Sequence, residues 1–92
     1  MKKAAKIIVQ GTIQGIFFRQ FTQDHAKDLK LKGFVRNLSE GDVEIIVEGE
    51  ESQIKRLENL VREGPKHSQI RNVLTEERKW TGEFDDFKIL RF

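Results

Sequence analysis

The residues best suited to handling a phosphate lie in one nine-residue stretch, Gly11 to Arg19, which reads GTIQGIFFR. Gly11 and Gly15 leave the backbone free to take positive φ or to approach a ligand closely. An apolar run from Lys6 to Gln10 enters the stretch and an amphipathic pattern beginning near Phe18 leaves it, which makes it a strand-to-helix turn. Successive N–H groups in such a turn, feeding the positive end of a helix, form a concavity suited to a phosphate or carboxylate. Arg19 falls in the first helical turn, where its planar guanidinium can hold two phosphate oxygens at once. Glycines at a strand-to-helix turn also serve turn geometry alone, so spacing by itself leaves both uses open. No Gly-Lys-Ser/Thr follows, and neither a third glycine nor a distal acid is present, so the stretch is neither a Walker loop nor a dinucleotide fingerprint.

A second candidate is Asn37. Asn is depleted in strands, and this one sits at the end of a strand pattern, one residue before Leu38 and a turn. It could bond local backbone, or it could offer its carbonyl and amide to a ligand.

These residues need elements to hold them. The apolar spacing of Phe18, Phe21, Thr22, His25 or Ala26, and Leu29 predicts a helix from about Phe18 to Leu31, with lysines 27, 30 and 32 at its negative end and Gly33 as its terminator. His25 lies at the edge of that stripe, where a half-buried structural role is expected. Phe34 to Leu38 reads as a short strand, Ser39 to Asp42 as a turn, and Val43 to Glu48 as a second strand, together a hairpin. Val43, Ile45 and Val47 share one face and Glu44 and Glu48 the other, so one side of the sheet is expected to be buried and the other solvated. A second helix opens at Gly49 to Ser52, carries Ile54, Leu57, Leu60 and Val61 on one stripe, and stops at Gly64-Pro65. Gln69 to Trp80 reads as a long, partly exposed strand, Thr81-Gly82-Glu83 as a turn, and Phe84 to Phe92 as a final strand or pair of extended pieces. The order β-α-β-β-α-β, with an extra extended piece, predicts an α+β, ferredoxin-like split βαβ fold: an antiparallel sheet with both helices on one face.

Composition narrows the chemistry. Ninety-two residues are expected to form one domain, residues 1–92, around a single core. With no cysteine, a disulfide framework, a thiolate metal site and a Cys nucleophile are all excluded. His25 and His67 stand far apart with no His-x-x-x-His or neighbouring acid cluster, so a zinc site is not expected and metal-free chemistry is favoured. Lys plus Arg outnumber Asp plus Glu by 17 to 15, a net charge of +2 with the signs interleaved, which gives only a mild bias toward anions. The start MKKAAK lacks the apolar run of a signal peptide, and no apolar stretch reaches spanning length, so a cytoplasmic protein without membrane partners is expected. The charged fraction of 35% without cysteine tilts toward thermophile composition, from which thermostability is expected.

The residues GTIQGIFFR, then KGFVRNLSEGDVE, then Glu63-Gly64-Pro65 resemble the acylphosphatase family over nearly the whole chain, in order and in spacing. The resemblance implies that Gln14, Gly15, Ile16, Phe17, Phe18 and Arg19 form a phosphate-binding loop, that Arg19 is catalytic, and that Asn37 orients the attacking water. It also implies hydrolysis of the carboxyl-phosphate bond of small acyl phosphates without metal or cofactor, with inorganic phosphate or sulfate as product-like ligands. Ile13 and Ile16 stand where the family more often has Val, and Phe34 stands where it more often has Trp. None of these touches Arg19 or Asn37.

Two other readings compete. RNA-recognition domains share the element order, and Lys32-Gly33-Phe34 is similar to the start of their aromatic strand motif. That motif belongs on the third strand, and Val43 to Glu48 carries no aromatic residue, so no nucleic-acid partner is expected. The better alternative is a non-catalytic acylphosphatase-like domain binding a small phosphorylated ligand such as carbamoyl phosphate. Retention of both Arg19 and Asn37 argues against it. The expected assembly state is a monomer.

Overall fold

The computed structural model describes residues 1–12 and 15–91. Strand β1 (Lys2–Thr12) enters helix α1 (Gly15–Asp28); β2 (Lys32–Asn37) and β3 (Val43–Glu50) follow, joined through a short 3-10 turn at Ser39–Gly41. Helix α2 (Glu51–Glu63), β4 (Gln69–Arg78) and β5 (Phe87–Ile89) complete the order. The sheet runs β4-β1-β3-β2-β5. Its first four strands pair antiparallel, as the ferredoxin-like order requires, and the extra C-terminal piece joins as a short strand parallel to β2.

Alternation along the central strands builds the core. Ile7 and Val9 of β1, Val35 of β2, and Val43, Ile45 and Val47 of β3 are fully buried, together with Phe18 and Ala26 of α1, Leu57 and Val61 of α2, and Phe87 of β5. Helix α2 is strongly amphipathic and shows only Ile54, Leu57 and Val61 to this layer. It stops as expected at Gly64, whose N–H donates to the Leu60 carbonyl. His25 is half-buried and packs edge-on against Phe21, centroids 4.5 Å apart, in the structural role expected of it.

Three expectations need correction. Helix α1 begins at Gly15, three residues before the apolar stripe, because its first turn carries Ile16 and Phe17 outward, 62% and 66% exposed. It ends before Gly33. Lys30 takes the left-handed conformation (φ 59°), its N–H donates to the Lys27 carbonyl, and the Leu31 N–H donates back to Ala26, a Schellman closure with buried Leu31 and Ala26 on its apolar side. Gly33 serves the sheet instead: its φ of 140° brings β2 so close to β3 that a Cβ would overlap the Ile46 carbonyl oxygen.

The third correction concerns the far face of the sheet. Glu44 and Glu48 are only 7% and 5% exposed, so that face is not simply solvated. The segment between β4 and β5 crosses it as a strap. Glu48 accepts hydrogen bonds from Thr81 N–H (2.9 Å), Thr81 Oγ1 (2.8 Å) and Gly82 N–H (2.9 Å), while Phe84 packs edge-on against Phe34. Glu44 accepts from Arg36 Nε at 2.7 Å, with Lys6 Nζ 3.7 Å away. Among the described residues no buried side-chain polar atom lacks a partner.

A left-handed lysine is costly because its Cβ crowds the following carbonyl, by about 1–2 kcal/mol. Lys30→Gly removes that crowding at an exposed site and is expected to raise stability by about 0.5–1 kcal/mol, shifting Tm upward by roughly 2–6 °C. Thermal unfolding of the two proteins checks this, and a lower Tm for the variant contradicts the assignment of Lys30 as the helix terminator.

Candidate functional site

The site lies where the end of β1, the first turn of α1 and the end of β2 meet. At Gln10 and Gly11 the pairing of β1 with β4 shifts register, and Gly11, at φ 152°, lies so close to β4 that a Cβ would overlap the Gln69 carbonyl oxygen. A β-branched or larger residue there would push the two strands apart just where the chain leaves the sheet for the helix. Ile13 and Gln14 of the predicted phosphate turn lie outside the described residues.

From Gly15 the helix carries its first amides at the open end, without an acidic residue in the first turn. These N–H groups have no intrahelical acceptor and lie at the positive end of the macrodipole, a combination that favours an anion. Phe18 fixes this end. It is fully buried and accounts for about 1.5–3 kcal/mol of burial, so the turn before it is tied to the core. Thr22, one turn on, is also buried and satisfies its hydroxyl by donating to the Phe18 carbonyl at 2.9 Å.

Arg19 is half-buried and bends back along the helix. Its Nε donates to the Gly15 carbonyl at 3.1 Å, which keeps the guanidinium beside the first turn. Among the described residues no carboxylate forms an ion pair with it. An arginine held by one N–H keeps its remaining donors for an oxyanion, and a fork restrained along one edge loses less entropy on binding.

Asn37 ends β2 opposite Val43 and is exposed. The turn after it is closed by backbone, Leu38 N–H donating to the Asp42 carbonyl at 2.7 Å, and among the described hydrogen bonds none joins the Asn37 side chain to that turn. Its amide faces α1 instead. A Cβ built on Gly15 would lie 2.8 Å from Asn37 Nδ2 and 3.2 Å from Oδ1, so the side chain occupies the space a larger residue 15 would need. That is the physical reason for glycine at this position. The fold therefore brings together Gly15, Arg19 and Asn37, which are 22 residues apart at their extremes. Ile16 and Phe17 stay on the outside of the same turn, and Phe18 sits beneath it.

Sequence reasoning did not identify the neighbouring loop. Gln69 pairs with Thr12 and Ile70 with Gly11, so the loop before β4 leaves the end of β1, and its residues Pro65 to Ser68 share a groove with Phe17 and Phe21 of α1. His67 there has a left-handed backbone, φ 72°, a conformation that the sequence does not signal. Among the described residues no three His, Cys, Asp or Glu side chains group as metal ligands, and no helix is long and apolar enough to cross a membrane.

Comparison with known proteins gives a consistent result. Residues 5–89 match the Acylphosphatase family model. The chain is 44% identical over 87 residues to the acylphosphatase of Thermotoga maritima, covering 95% of this chain and 96% of that one. Its backbone is similar to the crystal structure of acylphosphatase from Bacillus subtilis, with a TM-score of 0.90 at 33% identity, covering 98% and 99% of the two chains. It is also similar to part of full-length HypF in a phosphate- and nucleotide-bound crystal form (TM-score 0.88, 36% identity), covering 98% of this chain and 12% of that one.

The contact between Asn37 and Gly15 can be tested without any ligand. Gly15→Ala is expected to displace the Asn37 amide while leaving Tm unchanged or raised, because alanine is better by up to about 1 kcal/mol inside a helix. Side-chain amide resonances of Asn37 in wild type and variant report the displacement. Unshifted resonances would mean that the two residues do not touch.

Proposed function

The chain belongs to the acylphosphatase family and hydrolyses acyl phosphates to a carboxylate and inorganic phosphate, and on that premise we propose that Arg19 and the backbone N–H groups of residues 14–19 hold the phosphoryl group while Asn37 orients the attacking water. The observation that carries this reading is the position of the Asn37 amide against Gly15, the first residue of α1. It sets a water-holding donor and acceptor next to the anion-favouring helix end and within the same turn as Arg19.

Chemistry accounts for the small number of groups. The leaving group is a carboxylate whose conjugate acid has a pKa of roughly 4, so it departs without a general acid. Water oxygen attacks phosphorus, the bond from phosphorus to the acyl oxygen breaks, and its electron pair leaves on the carboxylate. The water proton passes to a phosphate oxygen, a route that asks for no protein base. In a loose phosphoryl-transfer transition state the charge lies on the equatorial oxygens, and stabilisation comes from positioning and from preorganised donors. The loop amides and the Arg19 fork supply those donors. No step requires a metal or a cofactor.

Inorganic phosphate and sulfate are the expected product-like ligands of the same cradle. As part of the same proposal, residues 1–92 act as one domain, a cytoplasmic monomer that takes small acyl phosphates and no nucleic acid. The charge balance, with signs interleaved along the chain, supports the last point. No observation favours a non-catalytic ligand-binding domain over the hydrolase.

Benzoyl phosphate hydrolysis in the presence of a chelator tests the roles. Arg19→Lys is expected to lose turnover by at least about a hundredfold, since a point charge does not reproduce the fork. Asn37→Ala is expected to lower kcat by a similar order while the inhibition constant of inorganic phosphate changes less than about twofold. Normal turnover by Asn37→Ala would remove the water-orienting role, and normal turnover by Arg19→Lys would remove the bidentate one.

A further inference from the structure

Backbone pairing of β1 with β3 ends at Val9 and Val43, just before the register shift between Gln10 and Gly11. Beyond that point β1 runs on beside β4 alone, while the chain before Val43 forms the turn that carries Asn37 at its other end. A side chain continues the tie that the backbone drops. Gln10 alternates with buried Val9, so it lies on the sheet face away from the helices, where it is half-buried. Its Nε2 donates to Asp42 Oδ2 at 3.2 Å, and its Oε1 accepts from Asn72 Nδ2 at 3.4 Å.

The direction of this chain is fixed by chemistry. A carboxylate only accepts, so Gln10 turns its amide nitrogen to Asp42, which leaves its oxygen for Asn72. Hydrogen bonds ordered head to tail toward a charge strengthen one another. Asp42 also closes the turn, because its carbonyl accepts the Leu38 N–H at 2.7 Å. Leu38 follows Asn37, whose amide packs on Gly15. A side chain of β1 thus holds, through Asp42, the backbone next to the residue that faces α1.

We propose that Gln10 is a positioning residue for the hydrolysis: by holding Asp42 it fixes the turn on which Asn37 stands, and so the place where Asn37 presents its water. Asn72 orients Gln10 from the other side. This inference rests on the reading of Asn37 as the water-orienting residue.

The test compares benzoyl phosphate hydrolysis, inhibition by inorganic phosphate, Tm and the Asn37 side-chain amide resonances in wild type, Gln10→Leu, Gln10→Glu, Asp42→Asn, the double variant Gln10→Glu/Asp42→Asn, and Asn37→Ala. Gln10→Leu is expected to shift the Asn37 resonances and to lower kcat about three- to tenfold, while the inhibition constant of phosphate changes less than about twofold. Gln10→Glu sets two acceptors face to face and is expected to lower kcat at least as far. Adding Asp42→Asn supplies the donor from the other side and is expected to bring kcat back to within about twofold of wild type. Asp42→Asn alone is expected to stay at or below wild type, which separates the bond from a bare effect of charge. Variants that move Tm but leave kcat and the Asn37 resonances as in wild type overturn the inference, and so does a double variant no faster than Gln10→Glu. If Asn37→Ala lowers kcat and Gln10→Leu does not, this inference alone falls; if Asn37→Ala turns over normally, the water-orienting reading fails and this inference fails with it.

Discussion

The contact of the Asn37 amide with the bare Cα of Gly15 constrains much of what surrounds it. It requires glycine at the first residue of a helix, where glycine is a poor helix former. It also requires the end of β2 to arrive at the start of α1. The sheet order β4-β1-β3-β2-β5 meets that need, because β1 and β2 flank the central β3 and the start of α1 lies against the end of β2. The cost of a weak helix start is offset by Phe18, which is wholly buried one turn into the helix.

On the proposed roles, that geometry accounts for phosphoryl transfer by a small chain. Nearly all the needed field would come from backbone amides and one guanidinium, groups whose positions are set by the fold rather than by titration. Arg19 is tied to the carbonyl of the same residue, Gly15, against which Asn37 packs. Gly15 therefore joins the anion-holding and water-holding halves of the proposed site. Preorganisation of this kind supplies stabilisation without reorganisation at the moment of reaction, and a carboxylate leaving group removes the need for an acid.

Much of this was legible in the sequence. The strand entering GTIQGIFFR, the hairpin around Ser39 to Asp42 and the stop at Gly64-Pro65 each have a local physical cause, and the structure places all three as expected. What was not legible depends on distant contacts. Alternation in β3 predicted a solvated face for Glu44 and Glu48, but the strap through Thr81 and Gly82 covers Glu48 from more than 30 residues away. Helix α1 starts before its apolar stripe because Ile16 and Phe17 point outward, a pattern that reads as loop when only periodicity is considered. Its end was assigned to Gly33, the nearest glycine, whereas Lys30 adopts the left-handed turn and Gly33 is required by the approach of β2 to β3. The packing of Asn37 on Gly15 has no signal in the sequence at all; it appears only once the end of β2 is set against the start of α1.

The central claim, that water is delivered to phosphorus and the carboxylate leaves intact, is tested most directly by hydrolysing benzoyl phosphate in oxygen-18 water and locating the label. The account predicts the label in inorganic phosphate and none in benzoate. Label in benzoate would mean that water attacks the carbonyl carbon, and Asn37 and Arg19 would then need different roles.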